Sequence, residues 1–333
     1  MSNPDTVAVV LAGGRGTRLY PASSPETPKQ FRAVGGERSL LERTVARAER
    51  FADEVVVLTR PAYADRVRGL VDAEVFVEPE PKDTGPALVY AAHRLRGRAE
   101  TLVCLPSDHH VGDDAAFATA AERAAATARE TGGLVTMGVE PTRPATGYGY
   151  LKPGEARGEG VNRVEAFVEK PDAETAARYR EAGYRWNAGI FAWTPAALLR
   201  ACEGTPLEPL VDALDAGDPE PFAACEAVSV DYGVMEDAED VYLVAVSSAW
   251  DDLGTWDALA RVLDADESGT VVDGNALPVD AEGCVLATDE GSHVAAVGVS
   301  DLVVAAYEGR VLVVPKAESQ RVREVWDAVY GEE

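Results

Sequence analysis

A glycine-rich turn that opens directly off a buried strand presents bare backbone N–H groups, and such groups bind phosphate. One stands at the start of this sequence. Val7–Leu11 is a short apolar run of strand type, and Gly13-Gly14-Arg15-Gly16-Thr17-Arg18 follows it, with Lys29 further on between Pro28 and Gln30. Two arginines in the loop and one lysine beyond it supply fixed positive charge on a chain whose formal net charge is -26. The Walker loop ends in Gly-Lys-Ser or Gly-Lys-Thr, which Gly16-Thr17-Arg18 lacks. The dinucleotide fingerprint carries a third glycine where Leu19 stands. The competing reading is a strand-to-helix turn whose glycines serve geometry alone.

Further groups able to do chemistry sit at the ends of apolar runs. Asp108 follows Leu105-Pro106-Ser107, and Asp252 lies in Trp250-Asp251-Asp252-Leu253-Gly254-Thr255-Trp256. Taken together they make a two-carboxylate Mg²⁺ site, since Mg²⁺ keeps waters and accepts one or two carboxylates plus phosphate oxygens. Taken singly, Asp108 reads equally well as a helix cap and Asp251-Asp252 as an exposed acidic turn. His109 and His110 have no other His or Cys at zinc-ligand spacing. Glu169 and Lys170 close the run Phe167-Val168; if the strand persists they point to opposite faces, one toward sugar hydroxyls and one toward a sugar phosphate, the alternative being a surface ion pair before the turn at Pro171. Asn187, between Trp186 and Ile190, offers a donor and an acceptor that suit a hydroxyl, and reads equally well as a structural amide bridging strands. In Glu78–Ala87, Thr84 reads as a helix N-cap and Pro86 as a first-turn residue, with small neighbours that let a flat base approach the backbone. Tyr232 and Met235 read as packing.

The elements that must position these groups alternate along the first two-thirds of the chain. Strands are expected at Val7–Leu11, Glu54–Leu58, Glu74–Val77, Thr101–Leu105 and Leu134–Val139. Helices are expected at about Leu40–Arg50, Ala62–Leu70, Thr84–Arg96 and Asp114–Thr131. That alternation predicts an α/β fold with a Rossmann-like, mostly parallel sheet flanked by helices, and ligands at the carboxyl ends of its strands. From Gly147 to Trp193, longer strands and a helix near Ala173–Ala182 read as a substrate-binding insertion on the sheet. After Ala265, short strands at Gly269–Val272, Ala276–Val279, Val285–Thr288, His293–Val299, Leu302–Tyr307 and Val311–Val314, with no strict repeat, predict a small C-terminal β-rich domain, a β-helix or a β-roll. A helix at about Glu318–Tyr330 closes it. The expected domains are therefore 1–264 and 265–333.

Composition narrows the partners. The chain has 333 residues, 46% of them hydrophobic, enough for one large core and a smaller one. An acidic surface with sequence pI ≈ 4.5 is a poor match for nucleic acid. No apolar run reaches the ~18–20 residues of a membrane span, and MSNPDT does not read as a secretory leader. Cys104, Cys202, Cys225 and Cys284 are scattered singly, as expected for buried thiols in a reducing compartment, so a cytoplasmic location is expected. The lysines are Lys29, Lys82, Lys152, Lys170 and Lys316 alone, the other cations being arginine.

Gly13, Gly14, Gly16, Arg18, Leu19, Pro21, Pro28 and Lys29 fill the loop pattern of the sugar-phosphate nucleotidyltransferases, Gly-Gly-x-Gly-x-Arg-Leu-x-Pro followed by Pro-Lys. The ordered set Gly13–Lys29, Lys82–Ala87, Pro106–His109, Phe167–Pro171, Trp186–Phe191, Asp231–Glu236 and Trp250–Trp256 resembles the mannose-1-phosphate guanylyltransferase branch of that family. So do Lys29-Gln30-Phe31 with Ser39-Leu40-Leu41 and Thr44, and the tail Val299–Val304 with Val311–Lys316. The resemblance implies GMP transfer from GTP to mannose 1-phosphate. It implies Arg15, Lys29, Asp108 and Asp252 as catalytic, Mg²⁺ on Asp108 and Asp252, and a left-handed, β-helix-like form for the C-terminal strands. Nucleotide contacts would come from Leu11, Ala12, Gly13, Gly14, Gly16, Thr17, Arg18, Lys82, Thr84, Pro86, Ala87 and Asp108. Sugar-phosphate contacts would come from Gly149, Glu169, Lys170, Asn187 and Gly189. A homodimer is expected, and a fused isomerase domain, present in some relatives, is not. The sequence departs from the pattern at Asp83, commonly Asn, at Gly85, often Ala, and at Ala188 and Thr255, each frequently Ser. The alternatives are the same reaction on glucose 1-phosphate with UTP or dTTP, a silent nucleotide-sugar-binding homologue, and a dinucleotide oxidoreductase. The last is disfavoured by Leu19.

Low lysine with dispersed acid predicts halophilic behaviour, since salt screens the self-repulsion of the folded state. The melting temperature is expected to rise between low and molar KCl; a flat or falling melting curve against salt would contradict it.

Overall fold

The structure, a computed structural model, describes residues 4–331. Met1–Asn3 of the leader reading and the extreme ends of both expected domains lie outside those residues. The chain forms two compact units that interleave in sequence. One comprises the chain up to Gly13 with Val45–Pro106 and Val111–Ala249. The other comprises Gly14–Thr44, Ser107–His110 and the chain from Trp250 onward.

The first unit is built on a nine-stranded sheet. Its strands run in the order Glu74–Val77, Glu54–Thr59, Thr6–Leu11, Thr101–Pro106, Arg185–Trp193, Leu134–Val139, Val241–Val246, Val161–Val168 and Tyr150–Gly158. Strand Thr6–Leu11 pairs in parallel with Glu54–Thr59 and with Thr101–Pro106, as continuous apolar runs between helices require. Helix Asp114–Thr131 begins where Asp113 accepts from the N–H groups of Ala115 and Ala116, and ends at Gly132 in the left-handed region. The core gathers Val7, Val9, Phe76, Leu88, Leu95, Phe191, Trp193 and Leu198.

The segment expected as an insertion is instead part of this sheet. Arg185–Trp193 lies in its middle, antiparallel to Thr101–Pro106 on one side and to Leu134–Val139 on the other. Its residues are almost all buried, because both faces of a central strand are covered. The register slips between Thr136↔Phe191 and Gly138↔Asn187. Gly189, at φ 63°, supplies the backbone conformation that this bulge needs.

In the second unit, Val271–Asp273, Val285–Thr288 and Leu302–Tyr307 stack in parallel, as do Ala276–Val279 and Val294–Val297. Ala281, Cys284, Leu286, Val294, Ala296 and Ala306 fill the inside of these coils, a β-helix-like arrangement. Arg310–Pro315 returns antiparallel along Leu302–Tyr307. The closing segment is a tight turn Lys316–Arg321 followed by helix Val322–Tyr330. Val322 and Trp326 on that helix join a core with Leu19, Tyr20, Leu40, Trp256, Leu259, Val285 and Val303. The glycine loop's short helical turn, Thr17–Leu19, is thus anchored by residues from the far end of the chain. Among the described residues no helix is long and apolar enough to cross a membrane.

Trp326 is 2% exposed, so Trp326→Ala should cost about 3–5 kcal/mol. Urea unfolding of the variant is the check, and an unchanged midpoint would contradict this packing.

Candidate functional site

In the second unit the glycine loop is fixed by its own neighbours. Gly16 has φ 68°, and a Cβ there would lie 2.7 Å from Cγ of Lys29, so glycine leaves room for the lysine stem. Gln30 Nε2 donates to the Gly14 carbonyl at 3.0 Å, and Ser23 Oγ to the Arg15 carbonyl at 2.6 Å. Arg18 donates to Gln320 Oε1 at 3.1 Å. The Lys29 ammonium stands 2.6 Å from Asp108 Oδ2. Trp250 Nε1 donates to His109 Nδ1 at 3.3 Å, which leaves the imidazole proton on Nε2, 4.0 Å from Asp108 Oδ1.

The neighbouring carboxylates Asp251 and Asp252 divide their work. Asp251 is buried in a bidentate pair with Arg261, at 2.8 and 3.1 Å, and that pair ties it to helix Trp256–Val262. Asp252 accepts from the Gly254 N–H at 3.1 Å. Burial pushes the Asp252 carboxyl up, but Lys29, the Gly254 N–H, His109 and Arg18 outweigh it and hold the group below the usual carboxylate range. Asp252 and Asp108 therefore both answer to the Lys29 charge.

In the first unit, the nucleotide-side residues read from sequence take several places. Leu11 and Ala12 end the first strand; the Ala12 N–H donates to Leu58 O at 2.8 Å and its carbonyl accepts from Thr59 Oγ1 at 3.0 Å. Gly13 faces a carboxylate, and a Cβ there would lie 2.9 Å from Glu78 Oε1. Lys82 donates to the carbonyls of Phe222 at 2.6 Å and Cys225 at 2.9 Å, with Glu80 at 3.3 Å, so its three donors are spent within the protein. The N-cap of helix Thr84–Leu95 is Asp83 rather than Thr84. Asp83 accepts from the Thr84 N–H at 2.7 Å, while Thr84 Oγ1 accepts from the Val230 N–H. Gly85 replaces the family's frequent Ala for a steric reason: a Cβ would lie 2.6 Å from the Val228 carbonyl. Pro86 and Ala87 are buried in the first turn.

Gly149, Glu169, Lys170, Asn187 and Gly189 do come together. The Gly149 carbonyl accepts from the Asn187 N–H at 2.8 Å, and a Cβ at Gly149 would strike Glu169 Oε2 at 2.3 Å. The expectation that Glu169 and Lys170 point to opposite faces is overturned. The strand ends at Val168, Lys170 turns back at φ 46°, and its ammonium pairs with Glu169 Oε1 at 2.6 Å. Tyr232 is 51% exposed and lies under the Lys170 ammonium rather than in the core, whereas Met235 is buried as expected.

The nucleotidyl transferase family matches residues 7–269, and a mannose-phosphate isomerase/GMP-like β-helix domain matches residues 274–328. A mannose-1-phosphate guanylyltransferase of Salmonella montevideo is 34% identical over 96% of this chain and 73% of its own. The chain belongs to the mannose-1-phosphate guanylyltransferase family. The xanthan biosynthesis protein XanB of Xanthomonas campestris is 36% identical over 96% of this chain and 72% of its own. The crystal structure of a mannose-1-phosphate geranyltransferase from Thermus thermophilus superimposes with TM-score 0.92 at 38% identity, covering 98% of this chain and 99% of that one. This member of the family is accordingly a nucleotidyltransferase enzyme.

Two functional candidates in this guanylyltransferase-family enzyme were not singled out from sequence, Glu78 and Asp231. Each opens a stretch whose other residues drew the attention, and burial is what distinguishes it from the many surface acids. Burial pushes Glu78 up to about 7, with Arg60 opposing and Asp83 adding. Its ordinary value is 4.5. Between those values the folded chain holds a proton that the unfolded chain has lost, so this group removes stability as pH rises through the window. Glu78→Gln stays neutral throughout and is expected to become more stable relative to the parent as pH rises from about 4.5 to about 7. Urea midpoints of both proteins across that range provide the check; parallel curves would contradict the assignment.

Proposed function

We propose that the enzyme transfers GMP from GTP to α-D-mannose 1-phosphate and releases GDP-mannose and pyrophosphate, with Mg²⁺ at Asp108 and Asp252. The observation that carries this reading is the Lys29 ammonium held 2.6 Å from Asp108 beside a glycine loop with Arg15 and Arg18, with Asp252 kept ionised by the same lysine. The names of the relatives support the choice of sugar and base.

The donor set suits Mg²⁺. Among the described residues no three His, Cys, Asp or Glu side chains gather into a metal-binding group. Two hard carboxylate oxygens with phosphate completing the shell are what Mg²⁺ accepts and what a soft or all-protein site does not resemble. When bound, the ion would supply positive charge to phosphoryl oxygens.

The protein's own groups have three tasks. The bare N–H groups of Gly13, Gly14 and Gly16, with Arg15, Arg18 and Lys29, hold the triphosphate and neutralise the pyrophosphate that leaves. Lys170 holds the sugar phosphate, and its pairing with Glu169 fixes where that charge stands; burial opposes the ammonium form, but the Glu169 carboxylate restores it and raises its pKa overall. The third task is alignment. An oxygen of the sugar phosphate attacks the α-phosphorus of GTP, a P–O bond forms, and the bond to the β-phosphate oxygen breaks. That nucleophile is already anionic at neutral pH, so no general base is needed and catalysis is positioning plus charge stabilisation.

Pyrophosphate release with MgCl₂ in high KCl, crossing four nucleoside triphosphates with mannose and glucose 1-phosphates, tests the substrates. GTP with mannose 1-phosphate should dominate, and faster turnover of another pair would sink the substrate assignment. Lys29→Ala, Asp108→Asn and Asp252→Asn are each expected to lower kcat by at least about a hundredfold without unfolding the protein, as circular dichroism checks. Near-normal activity in either aspartate variant would refute the metal assignment.

A further inference from the structure

Asn187 has both ends of its amide occupied. Its Oδ1 accepts from Thr136 Oγ1 at 2.9 Å and from the Gly189 N–H at 3.0 Å. Its Nδ2 donates to Asp231 Oδ1 at 2.7 Å. An amide oxygen has two lone pairs and an amide nitrogen two protons. The acceptor end is therefore saturated, and a single N–H is left for any ligand. Sugar hydroxyls need acceptors as well as donors, so the acceptor must be sought in the side chains around Asn187.

Two carboxylates meet the need. The Glu169 side chain is only 8% exposed, and while its Oε1 pairs with Lys170, its Oε2 is buried and has no hydrogen-bond partner among the described residues. A buried acceptor left unmade is costly unless a ligand satisfies it. Gly149 presents a bare Cα to that oxygen, and the Cβ position of Gly149 lies 2.3 Å from Glu169 Oε2 and 3.4 Å from Asn187 Cβ. Glu169 and Asn187 thus flank one glycine, and Asp231 is bonded to that same Asn187. Asp231 also opens an isolated wide helical turn, Asp231–Met235, closed by the Glu236 N–H on the Asp231 carbonyl at 3.0 Å.

We propose that Asp231 reads the sugar: with the free oxygen of Glu169 it forms a carboxylate pair that accepts hydrogen bonds from hydroxyl groups of the bound sugar 1-phosphate. This rests on the reading of the Glu169–Lys170 cluster as the sugar end of the site. Asn187, held from the other side by Thr136, is then the brace that orients Asp231. The electrostatics agree. Burial, and after it the charge of Glu169, pushes Asp231 up to about 6, while Asn187 and Lys170 pull the other way. Glu236 feels Glu169 and Lys170 as well, and Tyr232 lies beside Lys170, so these are the groups that surround the pair.

The test uses the full chain. Calorimetry gives the affinities of wild type, Asp231→Asn and Thr136→Val for mannose 1-phosphate, glucose 1-phosphate, GTP, and the 2-, 3-, 4- and 6-deoxy analogues of whichever sugar phosphate binds more tightly. Asp231→Asn should weaken the parent sugar phosphate about 10- to 100-fold, the value of a charge-assisted hydrogen bond, with GTP affinity unchanged. One deoxy analogue should bind Asp231→Asn no more weakly than the parent sugar does, because the bond it lacks is already gone. In Thr136→Val, whose carboxylates are intact, that same analogue should keep its penalty. Additive losses for every analogue in Asp231→Asn, wild-type sugar affinity in that variant, or a parallel loss of GTP affinity would each overturn the proposal. Tighter binding of glucose 1-phosphate would defeat the mannose assignment alone and leave the Asp231 test intact. No affinity for either sugar phosphate would defeat both.

Discussion

A chain with formal net charge -26 that handles anionic substrates must reverse its sign locally, and it has few ammonium groups with which to do so. Each lysine is committed. Lys29 stands on Asp108, Lys170 on Glu169, and Lys152 on Glu165. Lys82 holds the Phe222 and Cys225 carbonyls, and Lys316 holds the Gly283 carbonyl. The Lys29 pair matters most, because against the burial that pushes Asp252 up, Lys29 leads the groups that hold its carboxyl below the usual range.

The backbone around these groups is unusual in a consistent way. Gly16, Asp83, Lys170, Gly189 and Leu253 all have positive φ. Three of them carry side chains, so the conformation costs free energy at each and persists because the surroundings over-determine it. Three of the five turn a neighbour toward the chemistry. Gly16 makes way for the Lys29 stem, Leu253 separates Asp252 from Gly254 so that the latter's N–H returns to the carboxylate, and Lys170 folds back over Glu169. The aspartate pair illustrates the result: Asp251 is spent on Arg261 to hold a helix, while Asp252, one residue on, answers to the Lys29 charge.

Sequence by itself determined a good deal here. Apolar runs bounded by helical periodicity placed the parallel strands to within a residue, because local burial and local hydrogen bonding leave a local pattern. The glycine loop, Lys29, Asp108 and Asp252 stood out for a similar reason: residue type and spacing mark them along the chain, and the fold places Lys29 on Asp108. The C-terminal strands were visible as short apolar runs between turns, whereas their β-helix-like stacking was not.

What only the tertiary structure decided are the long-range pairings. Arg185–Trp193 lies centrally in the sheet because of partners far away in sequence, and its own residues look the same on an insertion. Whether Asn187 is free to meet a sugar depends on Thr136, Gly189 and Asp231, which occupy its amide. Asp231 and Glu78 are set apart from the other acids by desolvation, a property of everything that packs around them. Lys82 carries the charge of a phosphate ligand in the sequence and is spent on two carbonyls in the fold. Residue type and spacing are written along the chain; which polar groups remain unsatisfied, and so available to a substrate, is settled only when the whole chain has packed.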